Sequence, residues 1–132
     1  MSQENVEIVR RTYEAFSRGD LTAMFEYLDH EVVSYTAPPL PDPAEHHGYE
    51  GVLTWIGNWT EGFDDFSIDM DELIDAGDHV IAATRQRGTG AGSGVPVEQR
   101  FWFLQALRDN KIVRIGVHGT KAQAFEAAGA QK

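Results

Sequence analysis

The hydrophobic period of this chain changes near Gly62, and the change limits the folds it can adopt. Before this glycine, apolar side chains recur every three or four residues, which is the spacing of a helix face. After it, Phe66, Ile68 and Met70 alternate with polar residues, as in a half-buried strand. Helices followed by strands predict an α+β domain in which helices cover one face of a sheet.

Two helices joined by a tight turn are predicted at the start of the chain. Apolar residues at helical spacing predict the first helix over residues 4–17. Gly19 is suited to a left-handed helix stop, and Asp20 to the N-cap of the second helix. The apolar positions are Val6, Val9, Tyr13 and Phe16 in the first helix, and Leu21, Met24, Phe25 and Leu28 in the second.

A strand, a loop and a third helix follow. Residues 32–35 predict a short strand. The segment APPLPDPAEHHG holds four of the five prolines, so we expect a loop that is long enough to form a pocket rim. Tyr49 to about Gly62 predicts the third helix, with one face formed by Val52, Trp55, Ile56 and Trp59.

About four strands joined by tight turns are predicted in the second half. AGD at 76–78 and RDNK at 108–111 are turn sequences, and TGAGSG at 89–94 is a glycine-rich connection. The consecutive aromatic residues 101–103 indicate a central strand that is covered on both faces. The strands are expected from about Phe66 and then over 79–87, 97–108 and 111–120, before a short helix over 122–128.

The charge and composition exclude several classes of function. Acidic residues outnumber basic ones 21 to 11, and the basic residues form no stripe, so nucleic acids and anionic membrane surfaces are disfavoured partners. The absence of cysteine excludes disulfides, thiolate metal sites and a cysteine nucleophile. With no apolar run of about 18 residues and no signal-peptide pattern, we expect a cytoplasmic protein without a membrane segment.

Three segments resemble a known family. They are NVEIVRRTYEAFSRGDLTAMFEYL, SGVPVEQRFWFLQALRDNKIVRI and AFEAAG. They resemble the SnoaL-like, or polyketide-cyclase-like, families of the nuclear transport factor two-like superfamily over nearly the whole chain. The resemblance implies one domain over residues 1–132, in which a curved antiparallel or mixed sheet wraps three helices around one pocket, as in a cystatin-like α+β barrel. It also implies a homodimer formed through the sheet.

The superfamily contains isomerases, cyclases and hydrolases as well as proteins without catalysis, so its fold does not set the function. The acid and base positions of the ketosteroid isomerases fall on Thr12, Thr36 and near Trp102, none of which supplies the required group. The glutamate–tyrosine pair of many cyclase-like relatives is replaced by Val117 and His118.

The epoxide hydrolases of the superfamily use two aspartates bridged by an arginine. Arg85 and Arg87 are available on a strand, but no aspartate lies within 97–107 or 111–120. Pointing inward, these arginines can clamp a carboxylate; pointing outward, they can pair with acidic residues at a dimer interface.

His118, Tyr13 and Arg85 are the candidate catalytic residues. Imidazole titrates near neutral pH, which makes His118 the first candidate for proton transfer. Regular alternation along the last strand points Ile115 and Val117 inward and His118 outward, whereas a bulge would reverse this. Both orientations stay open at this stage.

His46 and His47 form a pair in the proline-rich segment. Two adjacent histidines can bind a metal, with Glu45, Glu50 or His30 as a third ligand. Their spacing matches no strong metal pattern, so we expect a solvated loop without a metal.

Aromatic residues are numerous and indicate a pocket for a small hydrophobic molecule. The favoured hypothesis is a binding protein without catalysis and without a cofactor. The alternatives are an isomerase, cyclase or hydrolase, and a dimerisation domain with a vestigial pocket. The candidate pocket residues are Tyr13, Phe16, Tyr35, Trp55, Trp59, Phe101, Phe103 and His118.

Overall fold

The computed structural model describes residues 2–130 and confirms an α+β fold with helices in the first half and strands in the second. None of the described helices is long and apolar enough to cross a membrane. In chain order the elements are α1 (Ser2–Ser17), α2 (Leu21–Phe25), β1 (Leu28–Thr36), β2 (Ala44–His47), α3 (Gly48–Thr60), β3 (Phe63–Ala76), β4 (His79–Gly90), β5 (Pro96–Arg108), β6 (Lys111–His118) and α4 (Lys121–Ala130).

The six strands form one mixed sheet in the order β2-β1-β6-β5-β4-β3. β1 and β6 are parallel, and every other neighbouring pair is antiparallel. The sheet is curved but unclosed, with β2 and β3 at its edges. The aromatic strand β5 lies between β6 and β4, in agreement with its prediction as a central strand.

The predicted turn residues act as their chemistry requires. Gly19 has a φ of +75° after α1, and the carboxylate of Asp20 accepts a hydrogen bond from the Ala23 amide at 3.0 Å as the N-cap of α2. Asp109 and Asn110 both adopt left-handed φ values, 53° and 64°, between β5 and β6. Two left-handed residues form the tight hairpin turn that matches the twist of the flanking strands.

The proline-rich segment differs from the expected loop because it contains strand β2. Ala44–His47 pairs antiparallel with β1, from Val33 opposite His47 to Thr36 opposite Ala44. Three of these four strand residues are exposed, so they carry no alternating apolar pattern. Backbone hydrogen bonds alone define this edge strand, and they leave no trace in side-chain periodicity.

The sheet has two faces with different cover. We call the face that packs against α1 and α3 the inner face, and the opposite face, which α4 partly covers, the outer face. Outer-face residues Ile81 and Leu104 pack against Ala124 and Ala128 of α4 in a small separate core. The larger core lies on the inner face, and burying each of its Val, Leu or Ile side chains contributes about 1.5–3 kcal/mol.

Candidate functional site

The space between the inner face and the helices contains a cavity of about 80 Å³, which we call the inner cavity. Almost all of its surface is carbon. It is lined by Thr12, Tyr13, Phe16, Met24, Leu28, Val52, Trp55, Ile56, Trp59, Thr60, Phe66, Phe103 and Ile115.

A larger opening of about 550 Å³ lies beside it, between the end of α3, the proline-rich segment and the strands β4 and β5. We call this opening the outer cleft, although it lies on the same side of the sheet as the inner face. It has a mixed polar and aromatic lining, formed by Thr36, Leu40, Pro41, Asp42, Ala44, His46, Trp55, Asn58, Trp59, Glu61, Phe63, Gln86, Gln99 and Phe101.

Trp55 and Trp59 line both spaces and therefore form the wall between them. They lie four residues apart on α3 and so share one helix face. The Trp55 indole N–H donates to Thr36 Oγ1 at 3.0 Å, and the Trp59 indole N–H donates to Gln86 Oε1 at 2.6 Å. The single pocket expected from the sequence is thus divided by two rings, one anchored to β1 and the other to β4.

Every polar side-chain group that lines the inner cavity already has a hydrogen-bond partner. The Thr12 and Thr60 hydroxyls donate to carbonyls of their own helices, and both indoles are anchored. The Tyr13 hydroxyl donates to Gln105 Oε1 at 2.7 Å, with the Gln105 amide nitrogen donating to the carbonyls of Val80 and Phe103. The cavity therefore suits an apolar group and offers it no free donor.

Tyr13 is the ionisable side chain of the inner cavity. Burial raises the pKa of its phenol well above the usual 10.0. The phenol stays protonated at neutral pH and its proton is held by Gln105. Tyr13 is therefore not available as a general base in this geometry.

Unlike the inner cavity, the outer cleft is lined by a polar side chain with an unpaired hydrogen-bond donor. Gln86 is only 6% exposed, and its Nε2 has no hydrogen-bond partner among the residues that the structure describes. Leaving a buried amide donor unpaired costs about 1–3 kcal/mol. The donor lies in a side chain that lines the cleft, so an acceptor on a bound molecule can satisfy it.

The ionisable residues that line the outer cleft are Asp42, Glu61 and His46, and its lining contains no lysine or arginine. Two carboxylates without a cationic partner in the lining disfavour a negatively charged ligand. Two indoles and the rings of Phe63 and Phe101 supply flat apolar walls. The rings of Trp59 and Phe101 meet edge to face, with their centroids 5.0 Å apart.

Among the predicted pocket residues, the structure places Tyr13, Phe16, Trp55, Trp59 and Phe103 around the inner cavity. Phe101 lines the outer cleft.

Tyr35 and His118 lie on the outer face, away from both spaces, which corrects the expectation that they line the pocket. Their inner-face neighbours are Thr36, which holds Trp55, and Val117, which is in the main core. Alternation along each strand then points Tyr35 and His118 to the other side. No bulge intervenes between β1 and β6 in this stretch, so the regular alternative holds.

Tyr35 and His118 form a buried group of their own on the outer face. The Tyr35 hydroxyl is 2.8 Å from His118 Nε2, and the Arg114 guanidinium lies over the Tyr35 ring at 4.5 Å. The pKa of His118 is lowered from the usual 6.5 because burial disfavours the charged imidazolium. This group is separated from the inner cavity by the sheet.

Arg85 and Arg87 also lie on the outer face, as one of the two alternatives expected. Arg85 pairs with Asp71 at 3.2 Å, and Arg87 pairs with Asp69. These aspartates come from the neighbouring strand β3 rather than from a second chain. The arginines therefore cannot clamp a ligand in the inner cavity.

The two adjacent histidines separate. His46 lines the outer cleft, whereas His47 lies within 3.3 Å of the Glu45 carboxylate on the same strand. Within residues 2–130, no three His, Asp or Glu side chains are grouped so that they could hold a metal ion.

Gln86 and Gln105 are the site residues that the sequence reasoning missed. Each continues an inner-face series with a period of two: Val80, Ala82 and Thr84 precede Gln86, and Phe101 and Phe103 precede Gln105. A polar amide on a core face was the available signal, because such a group needs a partner or a function.

Comparisons with known proteins agree with this architecture. The SnoaL-like domain model matches residues 9–115. No curated protein matches the sequence.

Three solved structures share the fold. An NTF2-like protein of unknown function from Burkholderia pseudomallei is 22% identical, with a TM-score of 0.77 over 93% of this chain and 95% of that chain. A protein described as a SnoaL-like polyketide cyclase from Jannaschia sp. is 20% identical, with a TM-score of 0.76 over 96% and 91%. A Catenulispora acidiphila protein with a ketosteroid isomerase-like fold, in complex with trimethylamine, is 17% identical, with a TM-score of 0.72 over 93% and 92%.

At these low identities, the solved structures support the fold but not a shared function. The family model, in contrast, matches most of the chain. On that match, and with the curved sheet and its interior cavity in place, the chain belongs to the SnoaL-like domain family.

Proposed function

We propose that this protein binds a small, largely apolar molecule whose hydrophobic part occupies the inner cavity. The observation that carries the proposal is the carbon-lined cavity beside an open aromatic cleft. Protein interiors are close-packed, and an apolar void forfeits dispersion contacts that its lining would otherwise make. A ligand that fills the space recovers those contacts.

The dimensions define which part of a ligand fits where. An engineered apolar cavity of about 150 Å³ accepts benzene, whereas the inner cavity here has about 80 Å³. It suits a short alkyl group rather than a full ring while Trp55 and Trp59 stay in place. The outer cleft, at about 550 Å³, has room for the rest of the molecule.

Binding without catalysis is the function that the inner cavity supports with the fewest assumptions. A general acid or base must be within hydrogen-bond reach of the reacting atom. In the inner cavity the Tyr13 hydroxyl is committed to Gln105, and the other two candidates, His118 and Arg85, lie on the outer face. The relative from Catenulispora acidiphila, in complex with trimethylamine, is a precedent for small-molecule binding on this fold.

A cavity-filling variant tests the proposal. We expect Val52→Phe, which places a ring in the cavity wall, to abolish the thermal stabilisation that small apolar and aromatic compounds give the wild type. A ligand concentration about a hundredfold above Kd stabilises a protein by about 2.7 kcal/mol, which raises its Tm by several degrees. Leu53→Phe is the matched control, because Leu53 is the next residue of α3 but is 44% exposed and does not line the cavity.

Two results would contradict the proposal: no stabilisation of the wild type by any compound of a broad panel, or equal stabilisation of Val52→Phe and the wild type. Mass spectrometry of each compound after incubation separates binding from turnover. A product would replace the binding function by an enzymatic one.

We also propose that the outer face associates with a second copy of the chain. Paired arginines and aspartates lie beside the half-buried Trp102 on this face, a mixed surface that can complement itself. Arg100→Glu should then lower the mass measured by light scattering at micromolar concentration, whereas Arg18→Glu, which is similarly exposed but off the sheet, should not. A monomeric mass for the wild type would refute this.

A further inference from the structure

The outer cleft contains a hydrogen-bond donor that the fold itself does not use. Gln86 is 94% buried, its side chain lines the cleft, and its Nε2 has no partner among the described residues. Buried polar groups in native proteins are almost always satisfied, and an exception calls for an explanation. A ligand acceptor is the explanation that also accounts for its position in a cleft.

Trp59 determines which end of the amide is left for a ligand. Its indole N–H donates to Gln86 Oε1 at 2.6 Å. Turning the amide over would place its NH₂ group against the indole N–H, two donors facing each other. The oxygen is therefore held by Trp59, and the nitrogen is the group that remains to bind.

We infer that Gln86 Nε2 recognises an uncharged oxygen acceptor on the ligand, a ketone, ester or amide carbonyl next to a flat ring. This inference rests on the proposed binding function and specifies its ligand chemistry. The acceptor is uncharged because Asp42 and Glu61 lie in the cleft and its lining has no cationic residue. The ring is flat because Trp59 and Phe101 provide aromatic walls next to Gln86.

Three probes of similar size and shape separate these features: acetophenone, α-methylstyrene and benzoate. α-Methylstyrene replaces the carbonyl oxygen of acetophenone with CH₂, and benzoate adds a negative charge. Dissociation constants from NMR titration of the wild type and the variants give the contribution of Gln86 to each. We expect benzoate to bind at least about tenfold more weakly than acetophenone.

Gln86→Glu is the most selective variant, because it keeps an oxygen for Trp59 and replaces the amide donor with a carboxylate oxygen, which also adds a negative charge. We expect this variant to raise the dissociation constant of acetophenone about fivefold to tenfold and to change that of α-methylstyrene by no more than about twofold. Gln3→Glu is the control, since Gln3 is exposed on α1 and lines neither the inner cavity nor the outer cleft. It introduces the same charge and should change neither dissociation constant by more than about twofold.

A second measurement needs no variant. The carbonyl stretching frequency of acetophenone bound to the wild type should fall below its value in an apolar solvent, because a hydrogen bond weakens the C=O bond. A frequency equal to that in the apolar solvent would overturn the inference. Equal losses of affinity for acetophenone and α-methylstyrene in Gln86→Glu would also overturn it. Failure of all three probes to bind a wild type that other compounds of the panel stabilise would overturn this inference alone, whereas failure of the whole panel would overturn the proposed function and this inference with it.

Discussion

A tyrosine on each side of the sheet forms a side-chain hydrogen bond through its hydroxyl, yet the surroundings of the two are opposite. On the inner face, Tyr13 meets the neutral amide of Gln105 beside a cavity. On the outer face, Tyr35 meets the titratable His118 in a closely packed layer that Arg114 covers.

The difference shows how one alternating pattern serves two tasks. Adjacent residues of β1 and β6 place Thr36 and Val117 on the inner face and Tyr35 and His118 on the outer face. The inner face keeps space and neutral partners, which suits an apolar ligand. The outer face is closely packed and contains the titratable His118 and the arginine–aspartate pairs. These groups affect the free energy of unfolding rather than the properties of the cavity.

The packing of the outer face is tested most severely at Gly116. A Cβ built there would overlap the Tyr35 ring, so we expect Gly116→Ala to destabilise the protein by about 3 kcal/mol in urea unfolding. The methyl group added by Gly57→Ala in α3 meets no atom within 4 Å beyond the adjoining residues and the backbone of its own helix, and this change should instead stabilise the protein by about 0.5–1 kcal/mol. A small effect of Gly116→Ala would show that the outer face is as loosely packed as the inner one.

The neutral pair on the inner face should respond to loss of its hydroxyl without dependence on pH. Tyr13→Phe leaves the buried Gln105 oxygen without its donor, and we expect a loss of about 2 kcal/mol. Because burial raises the pKa of the Tyr13 phenol, this loss should be the same at pH 6 and at pH 8, as measured by urea unfolding. A loss that varies between these two values would indicate that the phenol ionises.

The pair on the outer face should make stability depend on pH. The pKa of His118 in the folded state is lowered, so the unfolded chain binds a proton first as the pH falls below 6.5. This contribution to the free energy of unfolding is present above pH 6.5 and is lost below it, towards the lowered pKa of the folded state. His118→Gln should flatten the acid side of the stability curve, whereas the exposed His47→Gln should not. Identical slopes for the wild type and His118→Gln would contradict the assignment.

The wall between cavity and cleft should be weakened, but not removed, by Trp55→Phe. This change keeps a ring at the position and deletes the N–H that donates to Thr36. We expect a cost of about 1 kcal/mol in the free energy of unfolding and faster exchange of an apolar probe by NMR. Unchanged exchange with the same loss of stability would mean that Trp55 does not limit access to the cavity.

The smallest effect is expected at the ion pairs of the outer face. Asp71 contacts both Arg85 and Arg100 at 3.2 Å. Because the arginines are substantially exposed, Asp71→Asn should cost no more than about 1 kcal/mol, and added salt should reduce that cost. A larger and salt-independent loss would place this network among the buried elements of the fold.

Much of the fold was readable from the sequence, because periodicity and turn chemistry act locally. The two opening helices, the Asp20 cap and the hairpin at Asp109 and Asn110 depend on neighbouring residues alone. Strand β2 was not readable, since its pairing with β1 uses backbone groups that every sequence possesses.

The candidate site was only partly readable for a different reason. The aromatic content indicated a pocket, but the face on which His118 and Arg85 lie depends on strand register, which is set by contacts across the whole sheet. The roles of Gln86 and Gln105 depend on partners from distant helices, Trp59 and Tyr13, and no local pattern contains that information.

The division of the site by Trp55 and Trp59 has a practical consequence. Two of the three tryptophans border the cleft, and the third, Trp102, lies on the opposite side of the sheet. Indole emission depends on the polarity around the ring, so a molecule that enters the cleft should change the fluorescence of the first two and leave that of Trp102 nearly constant. Entry of a molecule into the cleft should therefore be detectable as a change in tryptophan emission, and ligand screening needs no attached dye.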